Sequence, residues 1–498
     1  MKARLLLPIH TLSIHPRWVL VFACSVLLAV LPAAALDLTV TRFDDPRPNG
    51  CMVGNCSLRE AIIDANAAAG ADTITLAAGV YTLAIPGSGE DLAAKGDLDV
   101  TGDLVLNGAG RDVTIIQGNG AITGDRVFHL LDPLGAGIAV TFRELSVIGG
   151  SVLNESGGGI LISSAEGMVP PVSVTEAESA VTLNLEGCIV RDNVADSNMI
   201  DPVTLKPVGG SGGGIYNEGA LVAANTTVHT NQAAANGGGI YAGGPVDCIV
   251  CSIRGNTAEG GGGLFETGNH ISAYREGNIH ANAAVGGGGV SVRGMVTLQL
   301  TNLTLDANTA TDVGAGMQSN GTVNLFNCTV TGNESASDSP YGGAGLNSFA
   351  SGTFRLWNTV MAGNRVAVLG TPAVRNCGCT GGTCTPLVQF LSQANNAEDA
   401  DTCDLTGASD LVNTDPKLAG MGYYGGPTGA REPHATSPLV DAGDDATCPV
   451  LDQALRTRPK DGDNDGTARC DIGAIEMWSP TFLDGFESGD VTAWSTVG

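Results

Sequence analysis

The chain is short of charge, and shorter still of positive charge. Charged residues make up 15% of its 498 residues, against about 25% in an average soluble domain. Lys and Arg number 24 against 51 Asp and Glu, a net of −27. Such a surface repels phosphate backbones, which excludes nucleic acid as a partner. After the first 35 residues no apolar run reaches the roughly 20 residues that a membrane-spanning helix needs, so no transmembrane segment is expected in the mature chain. Disorder is excluded too, because 43% of the residues are hydrophobic and mean hydropathy is +0.15, whereas disordered segments combine low hydrophobicity with high charge. Glycine is abundant at 71 residues, about twice the usual share of roughly 7%. It clusters as GGG instead of recurring every third position, so a collagen helix is excluded as well.

The first 35 residues hold Lys2, Arg4 and Arg17, an apolar run from Val19 to Leu31, and Ala33-Ala34-Ala35. That is the order of a secretory signal peptide, with cleavage expected before Leu36. Removing its three cations takes the net charge from −27 to −30 and leaves twelve of thirteen cysteines. An even number fits disulfides in an exported protein.

Two tags then recur in step. GGGI ends at Ile160, Ile215 and Ile240, GGGL at Leu264, GGGV at Val290, GAGM at Met317 and GAGL at Leu346, with steps from Ile215 of 25, 24, 26, 27 and 29. An asparagine closes a short β-rich run at Asn193, Asn231, Asn256, Asn282, Asn308, Asn333 and Asn364. Units of this length that cannot bury a face alone predict a β-solenoid, one coil per unit, with coils about 4.8 Å apart. The third residue before each Asn is Val190, Val228, Ile253, Ile279, Leu305, Val330 and Met361, a column that must point inward. Cys188, Cys251 and Cys328 share its parity. Cys188 and Cys251 are two coils apart, roughly 9 to 10 Å, beyond bridging distance. Buried free thiols are expected at all three.

Ile215 follows Asn193 by 22 positions where the next four coils use 8 or 9, predicting a protruding loop, and a second insertion carries Pro170-Pro171. Open solenoid ends need covers. At the N-terminus Ser57-Leu58-Arg59-Glu60 reads as a capping box opening an amphipathic helix, with Cys51 and Cys56 close enough to bridge.

CSLREAI at Cys56 to Ile62 resembles the motif of exported bacterial CSLREA-domain proteins. The alternating Gly and Asn tags resemble the polymorphic outer membrane protein repeat, and DPKLAG, GGPTGA, SPLVDAG and CDIGAIE between residues 415 and 476 resemble a choice-of-anchor ending. The resemblance implies an all-β, right-handed parallel β-helix displayed at, or released from, a Gram-negative cell surface. It implies no enzymatic activity. The expected organisation is signal peptide 1–35, cap 36–70, β-helix 71–375 of about ten to twelve coils at ~25 residues each, Cys-containing region 376–478, and tail 479–498. The tail, FLDGFESGDVTAWSTVG, resembles a terminal motif of exported proteins and leaves no room for a membrane barrel.

Three patterns bear on chemistry. Asp461, Asp463 and Asp465 in a D-x-D-x-D-G run, with Asp471 as a further oxygen, could wrap one Ca²⁺ or form a plain acidic turn. Cys377, Cys379, Cys384 and Cys403 could be drawn as a zinc cluster, but disulfides suit an oxidising compartment better, and Cys448 to Cys470 is the expected pairing. Two residues before successive Asn come Arg191, His229, Arg254 and His280, whose parity is outward. They form either a ligand-binding strip of ~14 Å for an anionic polysaccharide or cell-surface glycan, or a solvated strip without a ligand.

Polysaccharide hydrolysis requires paired acids, which a β-helix would have to stack on a solvent face. The column Asn217, Ala242, Glu266, Val292, Ser319 and Ser348 supplies one acid and no pair. The reading is therefore an exported surface or secreted β-helix with a non-catalytic adhesion or display role. A polysaccharide lyase or glycoside hydrolase, and a purely structural exoprotein, are the alternatives.

Overall fold

Strands of two to six residues ending in Gly and Asn corners gain a buried face only by stacking, and the chain stacks them from Asp37 to Glu398. The computed structural model describes residues 35–164, 181–337, 339, 341–368, 371–381 and 389–478. The apolar run of the signal peptide, the Pro170-Pro171 insertion and the tail from Phe482 lie outside these residues. Three long sheets of twelve, eleven and ten strands run the length of the stack. Each coil adds one strand to each sheet, and neighbouring strands within them pair in parallel. With the right-handed crossover of parallel connections, this is a right-handed parallel β-helix. The twelve-stranded sheet opens with Asp37–Thr39, inside the cap segment. The stack runs to Cys377–Thr380, Phe390–Ala394 and Ala397–Glu398, a coil beyond residue 375.

The register places Val190, Val228, Ile253, Ile279, Leu305, Val330 and Met361 on successive strands, all at most 2% exposed. The seven tag asparagines are buried beside them. Each donates from Nδ2 to the Oδ1 of the next and to a backbone carbonyl of the coil before, as at Asn256, with both bonds at 3.0 Å. The glycine tag exists because of this ladder. Gly237 turns the corner at φ +66°, and a Cβ on Gly238 would lie 2.4 Å from the Thr257 carbonyl oxygen. A Cβ on Gly239 would lie 3.0 Å from Asn256 Nδ2. The two tags keep time because they touch.

The helix Leu58–Ala67 closes the N-terminal end, and Ser57 and Glu60 form the reciprocal capping box. Cys51 and Cys56 are bridged, as are Cys377–Cys403 and Cys448–Cys470, and Cys379 is also disulfide-bonded. The expectation for Cys251 fails. Cys251 is not a free thiol but pairs with Cys248, Cα to Cα 6.0 Å. Both point inward from the same coil, on either side of a corner where Val250 adopts φ +57°. Distances between coils therefore do not limit this bridge. Cys188 and Cys328 are free and buried, and burial pushes their thiols up to about 11 and about 12, making them inert apolar filler.

Beyond Glu398 the chain folds back along the outer face of the eleven-stranded sheet. In chain order Gly429 contacts Asn278, Asp444 contacts Asn358, Gln453 contacts Thr304 and Ala474 contacts Thr329, so the segment passes back and forth over the coils between Asn278 and Asn358. The insertion before Ile215 leaves Val203 and Leu205 in the open, with one antiparallel bridge, Ile200 to Pro207.

Candidate functional site

Because this returning segment stops partway, it covers one end of the outward basic column and walls in the other. The register pairs Arg191 with His229, His229 with Arg254, Arg254 with His280 and His280 with Asp306. Asp306 is 1% exposed and lies under Arg431, whose Nε donates to Oδ1 at 2.6 Å. Asp306 Oδ2 lies 3.1 Å from His280 Nδ1. A carboxylate only accepts, so this His280 nitrogen carries the proton.

His229, Arg254 and His280 line the floor of a groove of about 620 Å³ between the sheet and the Met421–Gly429 stretch. Arg111 and Asp112 flank it, and Tyr423, 68% exposed, stands on its far wall. Arg111 is held in place by donating from Nη1 to the Asn225 carbonyl at 2.9 Å. Arg191 continues the column but does not line the groove, its guanidinium being paired with Asp192. Burial, then the charge of Arg254, hold the His229 imidazole below its usual value of 6.5. It is therefore neutral at pH 7 and gains charge only in acid. Arg111 and Tyr423 had no periodic marker in the sequence, and no reading of repeats could have found them.

The acidic loop differs in membership from the expected set. Oxygens of Asp441, Asp461 and Asp463 come within 4.8 Å of one another. Asp465 accepts the Thr467 N–H, and its own N–H bonds to Asp461 and Asp463. Asp471 is buried and not among the converging oxygens; it accepts instead from the Asp441 and Met477 N–H groups. Asp441, 20 residues upstream of the motif, could not be read from local spacing.

The column from Asn217 to Ser348 is not on a solvent face. The register is as counted, but all six residues point inward. Glu266 is fully buried, accepting from Tyr274 Oη, Ser272 Oγ and His270 Nε2, each at 2.9 Å. The tag hydrophobic and the residue two after it share a face, and that face is the interior. Glu266 is a core carboxylate beyond the reach of any polysaccharide.

Fold and site together define a right-handed parallel β-helix with a polar groove roofed on one side by its own C-terminal region. No protein-family model and no curated protein sequence matches the chain. Among solved structures it is similar to the A-module of Azotobacter vinelandii mannuronan C-5 epimerase AlgE6, at 17% identity and TM-score 0.38, covering 72% of this chain and 91% of that one. It is also similar to pectate lyase Pel9A, at 13% identity and TM-score 0.45, covering 90% and 98%. Pectin methylesterase PemA from Erwinia chrysanthemi is similar at 10% identity and TM-score 0.23, covering 72% and 92%. At these values the site is read from this chain's own residues. Among the described residues no helix is long and apolar enough to cross a membrane.

Proposed function

We propose that the protein binds an anionic polysaccharide along the groove over its eleven-stranded sheet, as an exported adhesion or display protein of a Gram-negative cell surface. The observation that carries this reading is the placing of Arg111, His229, Arg254 and His280 in one groove of a chain whose net charge is −27. Floor residues ~4.8 Å apart match the advance of one sugar in a linear chain, arginine pairs bidentately with carboxylate or sulfate, and Tyr423 offers an aromatic face to a sugar ring.

Losing a charged hydrogen bond costs about 1.5–3 kcal/mol, so Arg254→Ser is expected to weaken binding of a uronate oligosaccharide roughly 10- to 100-fold. Arg191→Ser should change it little. Titration calorimetry decides, and equal losses at Arg191 and Arg254 would mean that the strip outside the groove is the ligand site. Affinity should also rise as pH falls through the depressed value of His229, and less so in His229→Gln. In the free protein the same shift acts the other way: the unfolded chain binds this proton more readily, so stability declines as pH drops below about 6.5.

A second reading, cleavage of the polysaccharide, draws on the His280–Asp306 pair, since a carboxylate-oriented imidazole in a groove is the arrangement that proton abstraction uses. Size-exclusion chromatography of uronate and neutral polysaccharides after incubation separates the readings. Shortened chains mean an enzyme, intact co-eluting chains mean a binder, and no change across the panel favours a structural role. Calcium is proposed for the Asp441–Asp461–Asp463 turn, where three hard oxygens converge. At a hundredfold excess over Kd it should stabilise the fold by about 2.7 kcal/mol. Differential scanning calorimetry with calcium against chelator tests this, and a Tm rise that persists in Asp461→Asn would place the ion elsewhere.

A further inference from the structure

We propose a second metal centre, for a zinc-like divalent transition ion, built by Asp91, Asp99 and His129 on the ten-stranded sheet and independent of the groove. Asp99 and His129 are register partners on adjacent strands, Leu98–Val100 and Phe128–Asp132. Asp91 comes from the loop that precedes the first of these strands. That loop is shaped by Glu90, whose carboxylate accepts the N–H of Leu92 at 3.1 Å and of Lys95 at 2.7 Å. His129 Nδ1 lies 3.4 Å from Asp99 Oδ1 and 3.5 Å from Asp91 Oδ1, and ligand atoms of all three come within 4.8 Å of one another.

Two facts separate this cluster from an ordinary ion pair. Asp99 Oδ1 is fully buried and, among the described residues, has no hydrogen-bond donor, although its companion Oδ2 accepts the Ala93 N–H at 2.6 Å. Two cations of this region give their terminal donors elsewhere. Arg126 gives its Nη groups to Asp97 and Glu155, and Lys95 Nζ turns to the Ser88 carbonyl. A buried carboxylate oxygen left without a donor is costly, and an ion would remove that cost.

The spacing then selects the ion. Ligands bound at about 2.0–2.1 Å in a tetrahedron stand about 3.3–3.4 Å apart, the separation seen from Nδ1 to the two carboxylates. An imidazole in the set favours zinc over calcium or magnesium, which take oxygen. His129 Nε2 lies 2.7 Å from Ser163 Oγ, a hydroxyl able to accept from Nε2–H, as the outer partner of a ligating histidine does when Nδ1 holds the metal. Asp91, 56% exposed, marks the open side, where a fourth ligand can enter.

The test is titration of zinc into the chelator-treated full chain, followed by cobalt substitution read by visible absorption. The expected result is a zinc site whose cobalt form shows the intense bands of four-coordinate geometry. Asp91→Asn, a surface change that cannot unfold the stack, should weaken zinc at least tenfold, and His129→Gln should abolish the cobalt bands. Asp461→Asn should leave both unchanged. Zinc binding unaffected by Asp91→Asn and His129→Gln would overturn the proposal, as would an octahedral cobalt spectrum or a preference for calcium over zinc at these residues.

Discussion

Asn282→Ala is expected to cost about 4 kcal/mol, at roughly one for each hydrogen bond lost within a buried ladder. Asn282 Oδ1 accepts both the N–H and the Nδ2 of Asn256, and its own Nδ2 donates to the Ile253 carbonyl and to Asn308 Oδ1, each at 3.0 Å. Alanine leaves all four partners without this residue, in a place that water does not reach. Gln299→Ala, on an exposed outward position of the twelve-stranded sheet, should stay within about 0.5 kcal/mol. Urea unfolding of both variants is the measurement. Coils of a solenoid hold chiefly to their neighbours, so the Asn282 variant should lose amide-exchange protection first around Asn256 and Asn308. A loss near that of Gln299→Ala would mean that the ladder is a consequence of the stack and not one of its supports.

Arg59→Ala should cost about as much, roughly 3–5 kcal/mol for a buried ion pair broken on one side. Arg59 is 1% exposed and uses every donor it has. Nε and Nη2 reach the two oxygens of Asp45 at 2.7 and 3.0 Å. Nη1 donates to the Ala93 and Asp97 carbonyls, and Nη2 also to that of Gly96. The guanidinium thus pins the cap helix to the loop entering the ten-stranded sheet. Arg59→Lys should recover little, because an ammonium has three donors and no planar fork. Calorimetry of the three proteins gives the size of the effect. Exchange protection at Asp72–Thr75 and Leu98–Val100 shows whether the loss begins at the cap, and losses first seen at the far end of the stack would contradict this account.

Both residues stand in motifs visible in the bare sequence, and the reason differs for each. The asparagine column is legible because every coil repeats the same local problem. A corner must close beside the next corner, so the Gly and Asn that solve it recur at the repeat length. The cap is legible because a capping box spans four residues, Ser57 to Glu60. The role of Arg59 inside that motif is not, since the carbonyls that it satisfies lie 34 to 38 residues further on. Inward parity of Cys251 could be counted, whereas its partner across the same corner required the turn at Val250 to be known. The buried fate of Glu266, by contrast, is legible by parity, because it stands two residues after the inward tag hydrophobic Leu264.

The β-helix, its inward column, its asparagine ladder and the alignment of Arg191, His229, Arg254 and His280 are all legible in the bare repeat. All of these are relations between one coil and the next, and the period of the repeat carries them. That this column is roofed at Asp306, walled by Tyr423 and flanked by Arg111, and that Asp441 and not Asp471 joins the acidic turn, emerges from the folded chain alone. Those contacts join segments far apart in the chain, 151 residues between Asn278 and Gly429 and 125 between Arg431 and Asp306. Each such contact is made once, and a contact made once leaves no period in the sequence.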